Sequence, residues 1–237
     1  MKDLKSILFT ALLFLTAFES ISAQDDENYR RFEIGGHFTL LNLENYDPAE
    51  VFYKREGITI VFRSSPLIET QAEPGFGARF TYNITNNIAV EAEGNYLPRF
   101  SDTSNPDNRF ERGGGKFQFQ AGAKIGKRFG SERKKIGVFG KIRPGFVRFA
   151  NFPTIVSIDE SFPIPVVTQN VGEPRNFFST DIGGVIEYYP TRRTMIRFDV
   201  GDTIIRYGKP SDAEIREINP AFARHNLQIS AGFGFRF

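Results

Sequence analysis

The stretch His225-Asn-Leu-Gln-Ile-Ser-Ala-Gly-Phe-Gly-Phe-Arg-Phe237 alternates with a period of two. Leu227, Ile229, Ala231, Phe233, Phe235 and Phe237 fall on one side, and Gln228, Ser230, Gly232, Gly234 and Arg236 on the other. Successive side chains of a strand point to opposite faces, so this segment has one apolar and one polar face. Soluble sandwiches also contain half-buried strands, but three phenylalanines at i, i+2 and i+4 fit an apolar face that meets lipid.

The same period recurs upstream. Strand-like stretches fall at about 30–42, 75–84, 88–98, 116–127, 136–148, 177–189 and 194–206, with 225–237 as the last. In the first, Phe32, Ile34, Gly36, Phe38 and Leu40 oppose Glu33, Gly35, His37 and Thr39. In the fourth, Phe117, Phe119, Ala121, Ala123 and Ile125 oppose Lys116, Gln118, Gln120, Gly122 and Lys124. The seventh sets Ile196, Phe198, Val200 and Ile204 against Arg197, Asp199 and Thr203. Lengths of about 10 to 13 residues suit a tilted membrane crossing and exceed the usual soluble strand.

The connections alternate in length. Those around Thr85 to Asn87, Arg128 to Lys135 and Pro190 to Arg193 are short, while those at about 43–74, 99–115, 149–176 and 207–224 are long. Short turns at one end and long loops at the other predict an all-β fold: an antiparallel up-and-down transmembrane β-barrel of eight strands, with periplasmic turns. Val51 to Tyr53 and Ile58 to Phe62 flank Gly57 like a hairpin above the barrel; inserted into the wall, they would raise the count to ten. Lys2 and Lys5 precede an apolar run from Ile7 to Phe18, and Ile21-Ser22-Ala23 offers a small residue for cleavage. Residues 1–23 therefore read as a signal peptide and 24–237 as one barrel domain.

Composition conceals this pattern. A mean hydropathy of −0.31 and 24% charged residues look soluble, because a barrel carries its apolar half in alternation rather than in runs. The signal segment holds two bases and two acids, so the net charge of +2 survives its removal. So near-neutral a balance argues against a nucleic-acid partner. The absence of cysteine excludes disulfides, thiol catalysis, thiolate metal sites and a lipoprotein acceptor. With 26 phenylalanines, 8 tyrosines and no tryptophan, any interfacial belt must be built from Phe and Tyr.

The terminal alternation resembles the C-terminal signal of outer-membrane β-barrels, in which case Phe233, Phe235 and Phe237 form an assembly signal read by the barrel assembly machinery. The whole mature chain resembles the small OmpA-type and OmpX-type eight-stranded outer-membrane barrels, without the peptidoglycan-binding domain of full OmpA-type proteins. The resemblance implies integration in the outer membrane of a Gram-negative bacterium as a monomer, without cofactor. It specifies fold, and no activity.

Projecting the polar faces inward places Glu33, Glu91, Glu93, Asp181, Glu187 and Asp199 in the lumen with Arg79, Lys124, Lys141, Arg143, Arg197 and Arg236. Acids and bases are equal in number. An eight-stranded barrel is only wide enough to be filled by its own side chains, so these charges are expected to pair and plug it. Gly122, Gly183, Gly201, Gly232 and Gly234 would leave room for the long side chains. No catalytic constellation, phosphate loop or metal-ligand cluster emerges. His37 lies two residues from Thr39 and His225 five from Ser230, spacings unlike the His-x-Ser of lipid A deacylase barrels. Arg99, Arg148, Arg175, Arg206 and Arg224 sit near strand ends, where lipopolysaccharide phosphates would lie; they are candidate headgroup contacts.

The first functional reading is a non-enzymatic barrel that acts through long extracellular loops, in surface interaction or adhesion to an unknown ligand and in envelope integrity. The loop from Ala150 to Asn176 is its candidate contact surface, with Phe152, Ile155, Val156, Ile158, Phe162, Ile164, Val166 and Val167. The second is a narrow porin-like channel or transporter for small or hydrophobic solutes. A lipid-modifying barrel enzyme is the third.

Overall fold

A computed structural model of the chain describes residues 30–44, 51–55, 58–62, 70–98, 114–130, 135–159, 166–208 and 222–237. The signal segment and Arg99 lie outside these. The strands are β1 (Phe32–Leu43), β2 (Val51–Arg55), β3 (Ile58–Phe62), β4 (Gln71–Asn83), β5 (Ile88–Leu97), β6 (Lys116–Phe129), β7 (Lys135–Asp159), β8 (Val166–Tyr189), β9 (Thr194–Tyr207) and β10 (Phe222–Arg236). Eight of them close an antiparallel barrel in the order β1-β10-β9-β8-β7-β6-β5-β4. Strands β2 and β3 pair only with each other, as a separate two-stranded sheet. The ten-strand alternative is thereby resolved in favour of eight.

The register fixes the shape. Following direct pairs from Asn42 through Leu227, Asp202, Ile182, Ile142, Ala123, Val90 and Tyr82 returns to β1 at Phe32, ten residues below the start (42 minus 32). That stagger tilts every strand and closes the wall without an edge. Outward faces carry the apolar set, among them Phe38, Phe80, Ile125, Ile142, Ile186, Phe198 and Phe235, all exposed. The apolar band covers about 10 to 12 residues of each strand, roughly 25 Å of height once tilted.

Two of the short turns share one device. In the turn Ile84 to Ile88, Thr85 Oγ1 accepts the N–H groups of Asn87 (3.1 Å) and Ile88 (3.0 Å). In the turn Pro190 to Thr194, Thr191 Oγ1 accepts those of Arg193 (3.1 Å) and Thr194 (3.0 Å). A threonine hydroxyl thus replaces strand partners where the ladder ends. The β6–β7 ladder is interrupted between Gln120↔Gly145 and Ala123↔Ile142, beside the outward-facing Pro144, which has no N–H to give. Strands β7 and β8 differ from expectation by running on into the third long loop. They pair with each other out to Asp159↔Val166, whereas β7 leaves β6 at Phe149 and β8 leaves β9 at Phe178. The register shifts between Phe149 and Phe152 and again near Ser157.

Closure ends at the C-terminal residue. Phe32 N–H donates to Phe237 O (3.0 Å) and Phe237 N–H to Phe32 O (2.9 Å), and the two rings stack with centroids 5.9 Å apart. Deleting Phe237 removes both bonds and one aromatic contact, and refolding into detergent should lose about 1.5 to 3 kcal/mol, the scale of one aromatic side chain. If the residue is also an assembly signal, precursor should accumulate in the periplasm of cells far beyond what that loss accounts for. Equally mild effects in both settings would leave Phe237 a packing residue.

Candidate functional site

Inside the wall, the polar faces of the strands meet. Every acid and base assigned to the lumen from the sequence is buried, and each lies within ion-pair distance of at least one opposite charge. The pairs are cross-barrel as well as cross-strand. Arg143 Nε donates to Asp181 Oδ2 (3.0 Å), while its Nη1 reaches past β6 to Glu93 on β5. Arg79 bridges Glu93 (3.1 Å) and Asp199 (3.2 Å). Arg197 forks onto both oxygens of Asp199 (2.8 Å each) and also holds Glu91 and Glu187. Lys141 lies 2.7 Å from Asp181 and 3.3 Å from Asp199. Lys124 contacts Glu187 and sits 3.5 Å from both Glu33 and Glu91. Arg236 Nε donates to Glu33 (2.9 Å), with its guanidinium 4.4 Å above the Tyr189 ring.

Below this network, toward the turns, Arg128 donates to Tyr189 Oη (2.9 Å), Asn86 O (2.7 Å) and Asn83 Oδ1 (3.1 Å). Above it lies a layer of neutral polar groups. His37 Nε2 meets Asn95 Oδ1 at 2.6 Å; Asn95 Nδ2 donates to Gln118 (2.9 Å), and Gln118 Nε2 to Gln228 (3.0 Å). Gly77 makes this arrangement possible, since a Cβ there would collide with the Asn95 amide and stand 2.6 Å from His37 Nε2. Gly201 similarly admits the Asp181 carboxylate beside Lys141. At Gly122 and Gly183, by contrast, the close neighbour is the backbone of the adjacent strand, so these glycines permit tight strand approach rather than room for side chains. Among the described residues, the Gln120 amide, Ser179 Oγ, Asp181 Oδ1 and His37 Nδ1 are buried polar groups with no hydrogen-bond partner.

At the loop end the lumen changes character. Leu41, Leu43, Leu97, Val147, Phe149, Phe152, Phe177, Ile205 and Tyr207 form one buried apolar cluster. Its rings interlock, with Phe177 4.8 Å from both Phe152 and Tyr207. Beside it Lys116 Nζ donates to Glu73 (2.7 Å) and lies 5.6 Å over the Phe149 ring. Sequence reading missed this cap, together with Arg128, Tyr189 and the Lys116–Glu73 pair. The signal was available in the parity: Leu41 and Leu43 continue the face of Glu33, His37 and Thr39, and Ile205 and Tyr207 that of Arg197 and Asp199.

The wall carries the remaining candidates. Arg148 and Arg206 point outward and are exposed, whereas Arg175 and Arg224 are half-buried on the inward parity of their strands. His225 also faces outward, with Nδ1 2.5 Å from Asp202 Oδ2, while Ser230 faces the lumen. The histidine and that serine are thus on opposite sides of the wall. Phe233, Phe235 and Phe237 face outward. Among the described residues, no group of three or more His, Asp or Glu is placed to hold a metal.

The network's energetics are set by burial: a guanidinium removed from between carboxylates leaves negative charge undercompensated in a desolvated interior, because the remaining bases, Arg79 beside Glu93 and Lys141 beside Asp181, are shared with Asp199. Arg143→Met and Arg197→Met should each cost about 3 to 5 kcal/mol, seen as loss of the compact, heat-modifiable gel band at lower temperature. Unchanged melting of both variants would contradict a stabilising network.

Three solved outer-membrane barrels are similar over nearly their whole length. The N-terminal barrel domain of Pseudomonas aeruginosa OprF is 10% identical, with 88% of this chain and 98% of that one covered at a TM-score of 0.43. OprG of the same organism is 12% identical, covering 88% and 96% at 0.44. Neisserial surface protein A is 11% identical, covering 87% and 97% at 0.39. No curated protein matches the sequence. The family model for the outer membrane protein beta-barrel domain matches residues 10–237, nearly the entire chain. A closed eight-stranded antiparallel barrel with an apolar outer wall and a charged interior therefore belongs to the outer membrane protein beta-barrel domain family, and its place is the outer membrane of a Gram-negative bacterium.

Proposed function

We propose that this chain is a non-enzymatic barrel with a closed lumen, that its turns face the periplasm, and that it acts through its extracellular loop end in surface interaction or adhesion and in envelope integrity. The observation that carries this reading is the filling of the lumen at two levels. A continuous ion-pair network occupies the middle, and the apolar cap centred on Phe149, Phe177 and Tyr207 occupies the loop end. Water or ions crossing the barrel would have to break charge pairs in a desolvated interior and then part a packed aromatic cluster.

The contact surface is the β7–β8 hairpin. Beyond Ala150, whose N–H still donates to Gly115 O (2.9 Å), these strands pair, among the described residues, with each other alone over about ten residues each, so the hairpin stands up to roughly 30 Å beyond the wall. A rigid scaffold presenting an extended element is the usual arrangement for recognition by loops. The hairpin sequence supplies Ile155, Val156, Ile158, Val166 and Val167, more apolar content than solvation alone requires. Barrel assembly machinery and outer-leaflet lipid are the further partners in this proposal.

Two measurements test it. Refolded protein in planar bilayers should add no stable conductance at physiological salt; steady, reproducible flux would replace the closed lumen with a narrow channel. Protease added to intact cells should cut within residues 43–74 or 149–176 and spare Ser131 to Lys135 and Thr191 to Arg193. Cleavage at those short turns in sealed cells would invert the orientation.

A further inference from the structure

The geometry points to a lipid-phosphate site on the outside of the barrel wall, formed by Arg148 on β7 and Arg206 on β9, which flank β8. Both side chains share the outward parity of the apolar band. Each stands two residues beyond an apolar outward residue of its own strand, Phe146 for Arg148 and Ile204 for Arg206. On β9 the outward face already turns polar at Asp202, so the two arginines stand at the loop-end margin of the apolar band.

Pairing sets their separation. Arg148 lies opposite Asn176 and Arg206 opposite Phe178, two residues apart on the same strand. Two strand spacings and an offset of two residues put the arginine backbones roughly 12 Å apart across the wall, a gap that two long side chains can span. Phe178 lies between them, 56% exposed, and offers an apolar floor for an acyl chain beneath the bound phosphate. Asn176 adds an amide at the same rim.

Charge supports an anionic ligand. Among the described residues, neither Arg148 nor Arg206 has a carboxylate within ion-pair distance. The nearest acid on this face of β9, Asp202, is engaged by His225 Nδ1 at 2.5 Å and by the Asn226 N–H at 3.1 Å. Glu44 follows the end of β1, which β10 separates from β9. A guanidinium presents a planar fork that matches phosphate oxygens in pairs, so two of them at a membrane boundary select a phosphorylated lipid over a neutral one. The site rests on the proposed orientation only for the leaflet it meets: the outer one.

Native mass spectrometry from glucoside micelles provides the test. The probes are phosphorylated lipid A, the same lipid after enzymatic dephosphorylation, and inorganic phosphate as competitor. Wild-type protein should prefer the phosphorylated lipid by roughly tenfold or more. Arg148→Gln with Arg206→Gln should abolish that preference, and Arg148→Lys with Arg206→Lys should restore part of it. Arg192→Gln with Arg193→Gln, in the β8–β9 turn, should leave it intact. All variants must keep heat-modifiable migration. Preference retained without Arg148 and Arg206 overturns the site while leaving the orientation untouched. Loss confined to the Arg192 and Arg193 variant overturns the site and the orientation together. Equal displacement by free phosphate at the lipid's own concentration reduces the site to an adventitious anion contact and overturns the lipid assignment.

Discussion

The structure depends on one constraint: in hydrocarbon, no backbone N–H or C=O can be left to water. A sheet satisfies it only by having no edge. The two reciprocal bonds between Phe32 and Phe237 are where this chain meets the condition, because they carry the β1–β10 pairing one residue past Glu33↔Arg236. The stagger, the tilt and the narrow bore all follow from closing eight strands in this register. So does the location of Pro144, at a point in the β6–β7 ladder where the pairing is already broken.

A narrow bore then dictates the interior. With side chains from opposite walls in contact, a charge pointing inward finds a partner or pays the full cost of desolvation. Arg143 and Arg197 show the consequence, each meeting carboxylates from two strands other than its own. A polar interior also has a role that an apolar one could not fill. Slipping any strand by one residue exchanges its two faces, so a slip in β9 would carry Arg197 and Asp199 into lipid and Ile196 and Phe198 into the ionic core. The ion pairs thus discriminate against wrong registers as well as stabilising the right one.

Alternation made the fold legible in the sequence, since a face that reads Phe233, Phe235, Phe237 against Gly232, Gly234, Arg236 leaves little freedom for any other assignment. It made the lumen residues legible too, because parity alone names Glu33, Glu91 or Arg197 as inward. It failed where both faces turn apolar. Val147 and Phe149 extend the face of Lys141 and Arg143, and Phe177 extends that of Asp181; by composition alone they look like the end of a strand and the start of a loop. Hydropathy reports how apolar a residue is and not which solvent it meets, so an inward apolar cap reads as loop unless the parity of each strand is carried past the end of its polar face. Arg128 and Glu73 were missed for a simpler reason: their strands run a step further than the alternation reveals.

The loop end is where these requirements separate. In the middle of the barrel, lipid outside and charge inside keep the two faces of each strand chemically opposite. Near Leu43, Phe149 and Tyr207 the inner face becomes apolar, while outside Arg148, Arg206 and the His225–Asp202 pair make the outer face polar. The polarity of the wall therefore inverts across a few residues, as expected where the surrounding solvent changes from hydrocarbon to headgroups and water. Above that inversion water replaces lipid around the wall. This is why β7 and β8 can continue as a free hairpin: past the membrane boundary an unpaired edge is tolerated by water.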